Sequence, residues 1–224
     1  MAKKQENPFD HVDIRKLPIL HTGPSEVNMA FLTEPSTAFN EDGVYTVRIR
    51  LPEDSPEAKK LCKLIDKARD EAYTTACEFY GKKNLKRADP SYKVEEDDEG
   101  NETGYVLFNF KRNATYKDKN DNLKAINLPL FDSMGQKVDK EGLEIWRGST
   151  VAVAFRLKPF YVPSLGCGVT HRLEAVQVIK AVSGGERTAD EYGFSTQAPD
   201  FPTEEEDEPS TINEPSDSTE DGDY

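Results

Sequence analysis

The sequence predicts a mainly β fold, a small twisted barrel with one substantial α-helix, followed by a disordered acidic tail. Three patterns carry that expectation. Short segments alternate apolar and polar residues with period two, and one long segment repeats apolar residues every three or four positions. The last 37 residues, Thr188 to Tyr224, hold 13 Asp or Glu and no Lys or Arg. Runs of like charge repel themselves and stay solvated. The reading is therefore of one domain over residues 1–187 and a tail over 188–224.

In chain order, residues 8–40 mix Pro8, Pro18, Pro24 and Pro35 with short apolar runs such as Met29-Ala30-Phe31-Leu32, and read as one or two short strands among turns. Residues 1–40 carry the weakest pattern. After the Asp42-Gly43 turn, Tyr45, Val47, Ile49 and Leu51 alternate with Thr46, Arg48 and Arg50, giving a strand with an apolar and a basic face. Pro52 ends it. Asp54 or Ser55 then caps a helix that has Pro56 in its first turn and Gly81 just past its end. Ala58, Leu61, Cys62, Ile65, Ala68, Ala72, Ala76 and Phe79 form its apolar stripe, and its mixed charges read as a solvated face.

Residues 82–104 hold a basic block and then Glu95-Glu96-Asp97-Asp98-Glu99, which reads as an exposed loop. Tyr105 to Tyr116 reads as a strand that turns basic and aromatic. Leu123 to Phe131 is extended, with Pro129 restricting it to an edge or a bulge. Val151, Val153, Phe155 and Leu157 alternate with Ala152, Ala154, Arg156 and Lys158. A corner at Pro159-Phe160-Tyr161-Val162-Pro163 then leads to a final strand over Val169 to Val182.

The motifs of common catalytic chemistry do not occur in the sequence. There is no phosphate-cradling glycine-lysine loop, dinucleotide glycine fingerprint or nucleophile elbow, so the chain is expected not to be an enzyme and to carry no cofactor. His11, His21 and His171 are isolated, and Cys62, Cys77 and Cys167 are odd in number and far apart, which supports no metal cluster or disulfide framework. The cysteines are expected to be small buried hydrophobes. The basic N-terminus lacks the apolar centre of a secretory signal, and no stretch approaches the roughly 20 apolar residues that cross a bilayer, so a soluble, intracellular protein without membrane contact is expected.

The formal net charge of −13 belongs entirely to the tail. Its 13 acids leave 29 in the body, balancing the 29 Lys plus Arg. On the body, Arg48, Arg50, Lys111, Arg112, Lys117, Arg156, Lys158 and Arg172 lie on the polar sides or ends of expected strands, interleaved with Tyr116, Phe160 and Tyr161. Cations follow phosphates without reading sequence, and a flat ring stacks on any base for about 1 to 3 kcal/mol, so this combination suits single-stranded nucleic acid. The same cations also serve to blunt sheet edges, and the rings to fill a core. A tethered polyanion beside a basic cleft is self-inhibiting, at an effective concentration near the millimolar range. A second reading stays open, in which the chain is an acidic-tailed interaction adaptor or a DNA-mimicking inhibitor whose body never touches DNA.

Specific residues resemble a known family. They are Gly43-Val44-Tyr45, Asp70-Glu71-Ala72-Tyr73, Ala114 with Tyr116, Asp118-Lys119, Ile126-Asn127-Leu128 before Asp132-Ser133, then Leu157, Pro159 and Phe160, and the closing Glu220-Asp221-Gly222-Asp223-Tyr224. In that order they are similar to the single-stranded DNA-binding protein of short-tailed phages of the T-seven type, over Gly43 to the end. The resemblance implies an OB-fold and a protein that coats single strands in replication, recombination and repair, in the cytoplasm of an infected bacterial cell. It implies an acidic end that recruits DNA polymerase and helicase-primase and competes for the DNA cleft, and homodimers formed by tail exchange. It assigns DNA contacts to Tyr116 and Phe160, and partner contact to Glu220, Asp221, Asp223 and Tyr224. Two positions depart from the family pattern: Val162 stands where the family has tryptophan, and Tyr224 where it has phenylalanine.

Overall fold

The fold is described from a computed structural model over residues 6–38 and 40–183. Its contacts divide the chain at Gly185/Glu186, and the expected acidic tail, with Glu220, Asp221, Asp223 and Tyr224, lies outside the described residues. A 3-10 turn, Ile14–Lys16, is followed by β1 (Leu20–His21), β2 (Ser25–Ser36), β3 (Val44–Pro52) and α1 (Pro56–Tyr80). Then come β4 (Tyr92–Glu96), β5 (Glu102–Asn113), β6 (Thr115–Lys117), β7 (Leu123–Ala125), β8 (Leu130–Phe131), β9 (Thr150–Val162) and β10 (Gly166–Lys180).

Five strands close on themselves. β2 pairs antiparallel with β3, β3 antiparallel with β5, β5 parallel with β10, β10 antiparallel with β9, and β9 antiparallel with β2. Order and polarity are those of an OB-fold, with α1 in the β3–β5 connection. Closure follows from the alternation in the sequence. Val47 and Ile49 of β3, Phe108 and Phe110 of β5, Val151, Val153 and Phe155 of β9 and Leu173 of β10 all point inward with no exposed surface. The intervening residues then face outward by the pleat.

The helix obeys its caps. Ser55 Oγ accepts from the Ala58 amide at 3.1 Å, and Pro56 stands in the first turn. Gly81 closes the helix at φ 63° and ψ 25°, a left-handed conformation that costs glycine nothing. The stripe of Ala58, Leu61, Ile65, Ala72 and Ala76 is buried, and α1 lies against β9, β10 and β3.

Several expectations are corrected. Residues 82–104 are not all loop, since β4 pairs with β5 through Tyr92↔Phe108 and Val94↔Val106, with the Tyr92 ring packed on Phe108 and Val94 left exposed. The N-terminal segment holds two strands, the two-residue β1 and a 12-residue β2 that is longer than expected; β2 meets β3, and β9 joins both β1 and β2. Residues 159–163 are no corner, because β9 runs on to Val162, with Phe160 opposite Gly168 and Tyr161 opposite Cys167. From Arg156 on, β10 is the only strand beside β9 among the described residues, so the missing amide of Pro159 is tolerated there. The strand expected over 105–116 breaks at Ala114, and the one over 123–131 divides into β7 and β8. Cys167 is buried, but Cys62 and Cys77 are only half-buried, and all three thiols are free. No helix among the described residues is long and apolar enough to cross a membrane.

Candidate nucleic-acid interface

The outward row of the barrel wall is built by register. Thr46 of β3 faces Lys111 of β5, Lys111 faces Arg172 of β10, and Arg172 faces Arg156 of β9. One step along, Lys158 faces Thr170, and beyond it Phe160 faces Gly168. A groove of about 570 Å³ opens on this wall. Lys111, Arg112, Tyr116, Lys158 and Arg172 line it, together with Ser91, Asn109, Asn113, Thr115, Ile126, Val169, Thr170 and His171. Five of the cations and rings singled out from the sequence thus share one surface. Tyr116 is 50% exposed on the β6–β7 hairpin, opposite Lys124.

The cations differ in what holds them. Among the described residues, no hydrogen bond or ion pair engages the side chains of Arg48, Lys111 or Lys158. Arg48 is half-buried and faces Asn109 across the β3–β5 ladder. Arg50 is bound elsewhere, to Glu95 at 2.8 Å and Glu26 at 3.5 Å, with its guanidinium 3.7 Å from the Tyr105 ring centroid. Arg156 donates to the carbonyls of Arg15 and Leu17 and so anchors the 3-10 turn. Lys117 meets Asp121 at 3.7 Å, an exposed pair of small energetic weight. Phe160 and Tyr161 are both half-buried and neither lines the groove. Tyr161 packs on Tyr80, ring centroids 5.0 Å apart, and belongs to the helix contact. Phe160 lies over Gly168, on the same side of β9 as Lys158.

Glu174 organises the arginines, and nothing in the sequence marked it. It is the extra residue of a β-bulge between Leu173, opposite Phe155, and Ala175, opposite Ala154. Bulges re-aim side chains. Here the carboxylate meets Arg112 at 3.1 Å, Arg156 at 3.2 Å and Arg172 at 3.3 Å. One anion among three cations leaves the cluster net positive beneath the groove. Desolvation by burial lowers the Arg112 pKa, with the Glu174 carboxylate opposing that shift. Glu174→Ala is expected to destabilise the fold by about 3 kcal/mol, since it leaves three half-buried guanidinium groups facing one another. Urea unfolding at neutral pH measures it.

His171, isolated in sequence, lies at the inner side of the groove and is 4% exposed. Its Nδ1 lies 3.1 Å from the Asn109 carbonyl and donates to it, leaving Nε2 to accept from Ser91 Oγ at 2.7 Å. Burial lowers its pKa from 6.5 to about 4, against a weaker upward pull from the Asn109 carbonyl. An unfolded imidazole takes its proton near 6.5 and the folded one near 4, so the stability it contributes is complete above pH 6.5 and lost as pH falls through that window. The loss is about 3 kcal/mol by linkage. Unfolding free energy should fall from pH 7 to pH 4.5, and the fall should shrink in His171→Gln.

Gly168 explains the seat of Phe160. A Cβ there would stand 3.0 Å from Phe160 Cζ and 3.0 Å from Ala88 Cβ. Gly168→Ala therefore shifts the ring or the Lys86–Ala88 segment. It is expected to weaken oligo(dT) binding several-fold, within the value of one stacked base. Full affinity in that variant would show that the ring's seat is irrelevant to binding.

Comparison with known proteins gives a consistent picture. A family model described as single-stranded DNA-binding protein, bacteriophage T7, matches residues 27–181. The single-stranded DNA-binding protein of Escherichia phage T7 is 31% identical over 157 residues, spanning 65% of this chain and 66% of the relative. That of Enterobacteria phage T3 is 30% identical over 164 residues, spanning 68% of each. The crystal structure of gp2.5, a single-stranded DNA binding protein encoded by bacteriophage T7, is similar with a TM-score of 0.63 and 26% identity, covering 76% of this chain and 97% of that one. A single-stranded DNA-binding protein from bacteriophage Enc34, solved in complex with ssDNA, shares the fold with a TM-score of 0.52 at 12% identity, covering 74% of this chain and 88% of that one.

Proposed function

The chain belongs to the family of the bacteriophage T7 single-stranded DNA-binding protein, and from that premise we propose that its barrel wall holds single-stranded DNA without regard to sequence, in phage DNA replication, recombination and repair. The observation that carries the reading is the pairing of the cations. Arg48, Lys111 and Lys158 have no carboxylate among the described residues, whereas Arg50 on the same sheet has two. A cation without a partner gives up no ion pair when it takes a phosphate. Tyr116 offers a stacking surface inside the groove, and Phe160 another just beyond it. The protein acts by coating DNA rather than by catalysis, in the cytoplasm of an infected bacterium.

The acidic tail acts as a competitor for the basic groove and as the segment that recruits DNA polymerase and helicase-primase, with Tyr224 and its neighbouring acids at the contact. Homodimers form by exchange of that tail. Charge complementarity supports the competition: the tail has 13 acids and no cations, and the groove is lined by Lys111, Arg112, Lys158 and Arg172. The test is a titration of the chain with oligo(dT) at low and moderate salt, followed by fluorescence anisotropy. Binding that weakens steeply with salt is expected. No binding at low salt, with or without residues 188–224, would instead favour an adaptor or a DNA mimic whose body does not touch DNA.

A further inference from the structure

We propose that Phe31 is an additional nucleobase-stacking site, on β2 two strands away from the groove-lining Lys111; the inference rests on the single-strand reading above. Phe31 is 43% exposed, and in register it sits opposite Thr46, which in turn sits opposite Lys111. The ring therefore shares the outward row that continues through Arg172. Strands lie about 4.8 Å apart, which places the Phe31 backbone about 10 Å from that of Lys111. Between them in register stands Thr46, a short and nearly buried side chain.

The surroundings favour a base over a protein partner. Next along the same face of β3 is Arg48, whose β2 partner is Met29 and whose β5 partner is Asn109 on the groove wall. A half-buried guanidinium with no anion thus lies between the ring and the groove. Asn109 Oδ1, opposite Arg48, is buried without a donor. Ala30 and Leu32, either side of Phe31 in β2, face the core, so the pleat fixes the ring outward. A strand laid from β2 across β3, β5 and β10 to β9 meets an aromatic at each end and cations between.

The full-length chain tests this with Phe31→Leu, which keeps apolar bulk without a π-face, and Phe31→Trp, which keeps the face. Phe31→Leu should bind oligo(dT) about 5- to 100-fold more weakly, the range for one lost stack, with an unchanged salt slope because no phosphate contact is removed. Phe31→Trp should retain affinity and, in a Trp146→Phe background, lose indole fluorescence as oligo(dT) is added. Wild-type affinity in Phe31→Leu, or an indole at position 31 that DNA does not quench, overturns the inference while the groove stands. Failure of the unsubstituted chain to bind oligo(dT) overturns both.

Discussion

Lys111→Glu is expected to weaken oligo(dT) binding by about 100-fold at moderate salt, the largest effect of any single substitution in the groove. Lys111 occupies the middle of the outward row, opposite Thr46 on one side and Arg172 on the other. It lines the groove and has no carboxylate partner among the described residues. Replacing attraction with repulsion changes the interaction with a nearby phosphate by two charge units, and each unit is worth about 1 kcal/mol or more at a wet surface. The salt dependence should become shallower by about 0.7 in log-log slope for the lost phosphate contact. Arg50→Gln is the counterpart with the opposite signature. Breaking its pairs with Glu95 and Glu26 costs stability and leaves the slope of DNA binding as it was. Anisotropy titrations at four salt concentrations separate the two, and an unchanged slope in Lys111→Glu would remove Lys111 from the DNA path.

Deleting Thr203 to Tyr224 is expected to tighten binding to oligo(dT) by on the order of 10-fold at low salt, and to abolish association with the replication polymerase. The deletion removes 10 of the 13 acids that give the chain its net charge. Affinity should rise because less anionic chain competes with, and repels, the incoming strand. The advantage should fade as salt rises and the Debye length contracts. Equal affinities for intact and shortened chains at low salt would reject competition by the tail. Polymerase binding that survives the deletion would move the contact to the barrel.

The elements most legible in the sequence are those whose periodicity survives intact. The alternation of Tyr45, Val47, Ile49 and Leu51 and that of Val151, Val153 and Phe155 became two walls of the barrel, because period two maps directly onto inside and outside. The helix was legible through both caps, Ser55 and Gly81. β4 was not, because Lys93, Glu95 and Glu96 leave too little apolar signal; its place depends on pairing with β5 across the Asp97–Asn101 turn, and Glu95 there holds Arg50. The Pro159–Val162 stretch reads as a corner only until β10 is known to lie beside it.

For the interface, residue type was legible and partnership was not. Arg48, Arg50 and Arg156 look alike in sequence, each basic and on the polar side of a strand. Folding commits Arg50 to Glu95 and Arg156 to the carbonyls of Arg15 and Leu17, and leaves Arg48 without a partner among the described residues. Glu174 could not be found by pattern, because a bulge inserts one residue and disrupts the alternation that would have placed it. Phe31 was hidden for another reason. It lies in a proline-rich stretch without clear period, and its meaning comes from sharing a row with Lys111.

The most direct test is the salt dependence of oligo(dT) binding by the chain ending at Gly185. With the unpaired Arg48, Lys111 and Lys158 on the path, and about 0.7 released counterions per phosphate contact, the log-log slope should be about −2. It should fall in magnitude by about 0.7 in Lys158→Gln and stay unchanged in Arg50→Gln. A slope near zero, or equal slopes in all three proteins, would contradict a groove in which the unpaired cations hold the strand.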